Sequence, residues 1–390
     1  MAFPQRSARA SERILASAGR AARLPPASPR PGRSRWLFVA AVAALGLGGC
    51  VGAKPQPTPT ARPSATASVM ALPSSTPTPS VSPTARPTTS PPPPFASTEL
   101  RPGVRPHSYL GDACRWLSLR WDPQRSPPGT VVQPIMFHSI RHPSQMLNDN
   151  VTVSTEYFQA TVDTARALGY ETITTAELIG FLEENALIPY RSMMIIVDDR
   201  RPGTVSEYIL PVIAPLDWTV TLGWIIGDTG PALWETMEAL AAGGRLDVQS
   251  HGFQHRFITE QMTEDEIRSE ISGSIPVLVE HFGSRPLAFV WPGGNFTRRA
   301  VEIARDEGYR GGFTAYSRGP LLFDWIPLGE AEAAVDDPLM VLPRAWSPTA
   351  TVNLALADRI GDEAAAFAEA NRAQEADWYA ANCGGVLPVP

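Results

Sequence analysis

The sequence predicts an α/β chain: a distorted (β/α) barrel of about seven units, preceded by a signal segment and a disordered Pro/Thr/Ser-rich linker. Three observations predict it. Strand and helix patterns alternate from about residue 131 to about residue 348. The strand patterns are short apolar runs, as expected of parallel strands buried on both faces. Acidic and imidazole side chains recur at the C-terminal ends of these runs, where α/β barrels place their chemistry. An open doubly wound sheet is the competing architecture for the same rhythm.

The elements follow in order. Residues 131–137 read as a strand ending at His138, and 155–168 as a helix closed by Gly169, a good C′ residue. Thr174 and Glu177 form a capping box that opens the next helix. The apolar run 193–197 is a buried strand ending in Asp198-Asp199, and 218–226 and 246–249 are further strands. Thr263 and Glu266 open a long helix to about Phe282. A short apolar run, 287–290, precedes a helix over 297–307 stopped by Gly308, and a strand over 311–314 follows. Residues 355–381 are Ala- and Glu-rich with helical spacing, expected to pack on the domain without chemistry of their own.

Two segments carry the chemistry: IIVDDRRPG at 195–203 and VQSHGFQHRF at 248–257. Asp199, His251 and His255 supply one carboxylate and two imidazoles, a ligand set for one divalent ion with positions left for water and substrate. Zinc is the expected ion, although cobalt and nickel accept the same donors. Asp198, beside the ligand, is placed to act as a base on water at that ion. Neither motif is specific alone. An Asp-Asp pair ending a strand is commonly a turn or an N-cap, and His138 and His142 repeat the four-residue histidine spacing. The ordered combination is stronger, with FVWPGGNF at 289–296 as a third segment at a strand end.

The chain has 390 residues, enough for one large α/β domain with appendages. Its 33 Lys and Arg against 39 Asp and Glu leave a net charge of −6, which argues for no nucleic-acid partner. Forty prolines are too many for one compact domain, and they crowd the N-terminus. Residues 1–35 hold eight arginines and one acid, Glu12; an apolar run over 36–47 and Gly48-Gly49-Cys50 follow. That order resembles a bacterial lipoprotein signal, with Cys50 as the lipidated first residue of the mature chain. An uncleaved anchor is the alternative, and a run of about twelve residues is short for it. The expected division is a signal over 1–50, a disordered linker over 51–96, a lead-in segment over 97–130, the catalytic domain over 131–348 and a helical tail over 349–390. The expected location is the outer face of the cell membrane, through lipid on Cys50, with no protein partner implied. Export permits a disulfide between the remaining cysteines, Cys114 and Cys383; two free thiols are the alternative.

The segments QPIMFHSI, ARALGYETITTAEL, IIVDDRR, VQSHGFQHRF, FVWPGGNF and ARDEGYRGGFT follow one another over about residues 131–344. In that order they resemble the polysaccharide deacetylase family, carbohydrate esterase family four. The resemblance implies a distorted barrel, Asp198 as catalytic base, and Asp199, His251 and His255 as ligands of a metal, usually zinc. It implies that Trp291, Pro292, Gly293 and Gly294 form part of a substrate groove. The activity it implies is release of acetyl groups from an acetylated, N-acetylglucosamine-containing cell-envelope polysaccharide. Four departures stand out. Arg200 replaces the family's Gly, Gly252 its Ser or Thr, and Val290 its Arg. The family's late Leu-x-His, source of its general acid, is replaced by Leu342-Pro343-Arg344, and the last histidine is His281. His138 is the speculative acid in its place, with a core histidine as the plainer reading. Arg344 is a candidate to hold Asp198, a role that suits a guanidinium fork. Two other functions stay open: a non-catalytic glycan-binding lipoprotein on the same fold, and an O-acetyl polysaccharide esterase. A zinc protease is disfavoured, because Gly252 stands where that class needs Glu.

Overall fold

The computed structural model describes residues 91–388. The expected signal segment with Cys50, and the linker as far as residue 90, lie outside the described residues. Among the described residues there are twelve strands: β1 (Arg105–His107), β2 (Val131–Phe137), β3 (Ser139–Arg141), β4 (Thr152–Ser154), β5 (Tyr170–Thr172), β6 (Arg191–Asp198), β7 (Val220–Trp224), β8 (Leu246–Ser250), β9 (Ala288–Val290), β10 (Gly311–Phe313), β11 (Ile326–Leu328) and β12 (Ala345–Trp346).

The main sheet is parallel throughout and runs β10-β9-β8-β7-β6-β2-β12. β5 pairs with the first half of β6, and β7 with its second half. From β6 to β10 each strand adds beside the last in one direction, which a doubly wound sheet does not do. The sheet curls until its edges meet. Thr314 N–H donates to the Leu342 carbonyl (2.9 Å) and Leu342 N–H to that of Gly312 (2.7 Å). A few residues later, β12 pairs with β2. One stretch of chain therefore joins the first and last strands of the curl, and the architecture is the distorted barrel the sequence predicts.

β2 and β6 are buried at every residue. Their apolar side chains fill both faces, as a parallel strand between helices and barrel interior requires. Each fully buried Ile, Val or Met there contributes about 1.5–3 kcal/mol relative to exposure. Ser154 caps the helix Thr155–Ala167 by accepting from Tyr157 N–H, and both predicted capping boxes are complete. The predicted long helix ending at Phe282 is instead two, Glu264–Ser272 and Ser274–Phe282. Pro276 has no N–H for the Ser272 carbonyl, and its ring crowds that turn, so the helix breaks at Gly273.

The helix Ala350–Asn382 packs along the barrel. Arg191, at the start of β6, pairs with its Asp358 (2.7 Å) and Asp362 (2.5 Å). Cys114 and Cys383 form a disulfide that ties the lead-in segment to the end of this helix. Among the described residues, no helix is long and apolar enough to cross a membrane.

The last residues of the expected linker behave differently from a free spacer. The Phe95 ring lies 5.6 Å from Trp325 and 5.4 Å from Phe367, and the Phe95 carbonyl accepts from the Trp325 indole at 3.2 Å. Residues 92–95 and 126–130 line the same cavity of about 270 Å³, at the end of the barrel where β2 begins. Phe95 is a large apolar side chain beside a run of prolines, and its half-buried ring, packed on Trp325 and Phe367, anchors that stretch.

Candidate functional site

The opposite end of the barrel, where the parallel strands finish, gathers the predicted residues. Asp198 is the last residue of β6, and the chain turns at Asp199 with φ +71°. His251 follows β8 directly, and His255 sits on the next loop with φ +61°. Asp199 Oδ1 lies 3.8 Å from His251 Nε2 and 3.8 Å from His255 Nε2. The ligand atoms of the three residues all fall within 4.8 Å of one another. Donors about 2.0–2.1 Å from an ion stand roughly 3.3 Å apart in a tetrahedron, so the two Asp199–histidine separations of 3.8 Å would close by about 0.5 Å on binding.

The surrounding bonds prepare these donors. His251 Nδ1 is 2.8 Å from the Val290 carbonyl, so that nitrogen carries the proton and Nε2 keeps its lone pair for a metal. Burial pushes His251 down to about 4, against the pull of Asp198, so the ring is neutral at pH 7 as a ligand must be. Arg201 donates from Nε (3.2 Å) and NH2 (3.1 Å) to Asp199 Oδ2, leaving Oδ1 free toward the imidazoles. A third Arg201 nitrogen donates to Ser139 Oγ at 2.6 Å. Arg200 is turned aside, donating to the Gly227 carbonyl at 2.6 Å.

Asp198 is buried behind the three donors, 4.0 Å from His251 Nε2. Arg344, also buried, donates from NH1 to Oδ1 (2.6 Å) and from NH2 to Oδ2 (3.0 Å), and from Nε to the Thr314 carbonyl (2.8 Å). Burial alone would raise the Asp198 carboxyl; Arg344, His251 and His138 outweigh it and bring it down to about 2. His138 follows β2, with Nε2 3.9 Å from Asp198 Oδ2. Burial lowers its pKa, so the free imidazole is neutral at pH 7.

Residues 189–312 match the family model described as Polysaccharide deacetylase. The chain carries a polysaccharide deacetylase domain. The matched stretch contains Asp198, Asp199, His251 and His255, whereas His138 and Arg344 lie outside it. Among solved structures, the chain is similar to the Streptococcus pyogenes deacetylase PplD in complex with acetate, at 21% identity and a TM-score of 0.49, over 58% of this chain and 96% of that one. It is similar to IcaB from Ammonifex degensii at 17% identity and a TM-score of 0.46, over 61% and 99% of the two chains. A polysaccharide deacetylase from Bacillus cereus aligns at 20% identity and a TM-score of 0.46, over 58% and 69%. No curated protein matches.

One expectation for the deacetylase site needs correction. Trp291 is fully buried: its indole N–H donates to the Met340 carbonyl (2.8 Å) and its ring packs 4.8 Å from Phe289. It supports the loop from beneath and offers a glycan nothing. Pro292 and Gly294 are buried as well, and of the four groove residues only Gly293 is exposed. The exposed aromatic beside the site is Phe257, 55% exposed, its ring 5.6 Å from that of His255. A Cβ at Gly293 would lie 3.0 Å from the Phe257 ring, so that glycine leaves the ring its place. Phe257 and the Arg201 contacts are features the sequence reading missed. Their signal was position: Phe257 is two residues past the second histidine and Arg201 two past Asp199.

Proposed function

We propose that this chain is a metal-dependent hydrolase that removes acetyl groups from an N-acetylglucosamine-containing cell-envelope polysaccharide by cleaving the amide C–N bond. The observation that carries the reading is the convergence of Asp199, His251 and His255 on one point with Asp198 directly behind them. A divalent ion held by those three, zinc by expectation, would lower the pKa of water toward ~7 and polarise the acetyl carbonyl.

The chain's own residues do the rest. Asp198, ionised at neutral pH, accepts the proton as the water oxygen forms its bond to the carbonyl carbon. Arg344 holds the carboxylate so that it cannot swing toward the ligand positions. His138, neutral and 3.9 Å from Asp198, is placed to take that proton and pass it to the nitrogen as the C–N bond breaks. The products are acetate and a free amine on the sugar. Phe257 offers an exposed apolar face beside this point, on which a sugar ring can lie.

The proposed setting is the outer face of the cell membrane, through lipid on Cys50. The sequence of residues 1–50 supports it, as does the Cys114–Cys383 disulfide, which an oxidising compartment preserves.

The test is acetate release from N-acetylglucosamine oligomers, with metal content measured on the same sample. Asp198→Asn should keep the metal and lose about 10²-fold or more in rate. His251→Ala and His255→Ala should each lose stoichiometric metal. Wild-type protein that is fully metal-loaded yet silent on N-acetyl and O-acetyl glycans would make it a binding protein. Release from O-acetyl substrates alone would make it an esterase.

A further inference from the structure

We infer that Glu270 is the positioning residue of the second histidine: its buried carboxylate fixes the loop that presents His255, and Gly252 exists to make room for it. The inference rests on the reading of Asp199, His251 and His255 as metal ligands.

Glu270 lies on the helix Glu264–Ser272, on the face that also buries Ile267 and Ile271. It is 2% exposed. A carboxylate is costly to bury unless donors surround it, and here the donors come from one loop. Oε2 accepts from Gln254 N–H and Oε1 from Arg256 N–H, both at 3.0 Å. These are the residues on either side of His255. The backbone carbonyl of Glu270 accepts from Phe253 N–H, also at 3.0 Å. One residue thus takes up three of the four N–H groups from 253 to 256, and the remaining one belongs to His255.

The loop needs such a clamp. His255 has φ +61° and Gly252 φ +86°. A side-chain-bearing residue stays in the left-handed region only where its surroundings over-determine it. The carboxylate spanning 254 and 256 supplies that determination and so sets where the imidazole points. Gly252 completes the arrangement. A Cβ on it would lie 2.2 Å from Glu270 Oε1 and 3.2 Å from Cδ, so any other residue would push the carboxylate off its donors. This gives a physical reason for the glycine between His251 and His255, at a position where the family resemblance leads one to expect Ser or Thr.

Glu270 touches neither the ligand atoms nor any reacting group, so the experiment must read the metal site itself. The full chain would be prepared in detergent as wild type, Glu270→Gln, Gly252→Ala and His255→Ala. Zinc affinity would be read by chelator competition, the cobalt(II) visible spectrum would be recorded, and Tm would be measured without metal. Glu270→Gln keeps the shape but turns an amide donor toward a backbone donor. It should weaken zinc binding by about 10–100-fold, the usual scale for a residue that orients a ligand, and alter the cobalt spectrum. Gly252→Ala should do the same from the other side of the contact. If Glu270→Gln lowers Tm but binds zinc like wild type with an unchanged cobalt spectrum, Glu270 only docks the helix and the inference is overturned. If the wild type and His255→Ala are alike in zinc affinity, the ligand reading has failed and the inference falls with it.

Discussion

Arg344 and Asp198, 146 residues apart, meet as a buried two-point fork, with NH1 to Oδ1 at 2.6 Å and NH2 to Oδ2 at 3.0 Å. Arg344 immediately precedes β12, the short strand that helps close the barrel on β2. Closure of the barrel and alignment of the proposed base therefore depend on the same few residues. Arg344→Met should leave a buried carboxylate unpaired, destabilising the fold by about 3–5 kcal/mol. Acetate release should fall by about 10²-fold, the scale of general-base catalysis. Arg344→Lys keeps the charge but loses the fork, and should fall between the two. Urea unfolding and acetate assays would measure both effects, and a Met variant as stable and active as wild type would refute the dependence.

Glu375 gives the fold a pH dependence of its own. It is fully buried on the C-terminal helix and accepts from Trp121 Nε1 at 2.5 Å. Burial raises its pKa, more than Arg120 and Trp121 lower it. For an acid whose folded pKa lies above the unfolded value of ~4.3, the native state holds the extra proton in between. Stability from this group is thus complete below about pH 4 and declines as pH rises toward the elevated folded pKa. Glu375→Gln cannot titrate. Its stability relative to wild type should improve as pH rises above about 4 and level off once the raised folded pKa is passed, on top of a constant offset from the altered contacts with Arg120 and Trp121. A difference that does not change over that range, in urea melts, would contradict the raised pKa.

Phe257 should act on glycan binding and not on the chemistry. Its ring is exposed beside His255 yet contributes none of the three ligand atoms. Phe257→Ala should raise KM for a glycan oligomer several-fold with kcat and zinc content near wild type, and Phe257→Trp should restore KM. Trp291→Ala should instead behave as a core truncation, costing about 3–5 kcal/mol of stability. An unchanged KM for Phe257→Ala would remove the ring from the proposed sugar path.

The Cys114–Cys383 bridge closes a loop with a sequence separation of 269. In the chain-entropy model such a closure stabilises by up to about 5 kcal/mol. Cys114→Ser, or reduction with dithiothreitol, should lower Tm by several degrees while leaving zinc affinity alone, since neither cysteine is among the three candidate ligands. Equal Tm values with and without reductant would show that the bridge contributes nothing.

What the sequence revealed was whatever its local spacing encodes. The strand over 131–137 matches β2 residue for residue, and the run 193–197 lies within β6, because continuous burial demands continuous apolarity. Asp198-Asp199 and the His251–His255 pair stood out because each pair is close in sequence, although the two pairs lie about fifty residues apart. The Arg344 contact was only a conjecture in sequence, since nothing local ties residue 344 to residue 198. Trp291 was misread because an aromatic before Pro-Gly-Gly does not reveal which way its ring turns; here it turns inward to Met340. Glu270 left a signal that went unread: an acid between Ile267 and Ile271 on the buried stripe of a helix is unexpected unless donors wait for it.

The anchored residues 92–95 determine which way this molecule looks. They sit where β2 begins, while His138 stands where it ends, seven residues on, or roughly 23 Å at the rise of a parallel strand. Any pull on the chain ahead of Pro91 is therefore delivered to the end of the barrel opposite the candidate site. The same protein coupled to a bead through its N-terminus should present its working face outward, unobstructed by the surface that holds it.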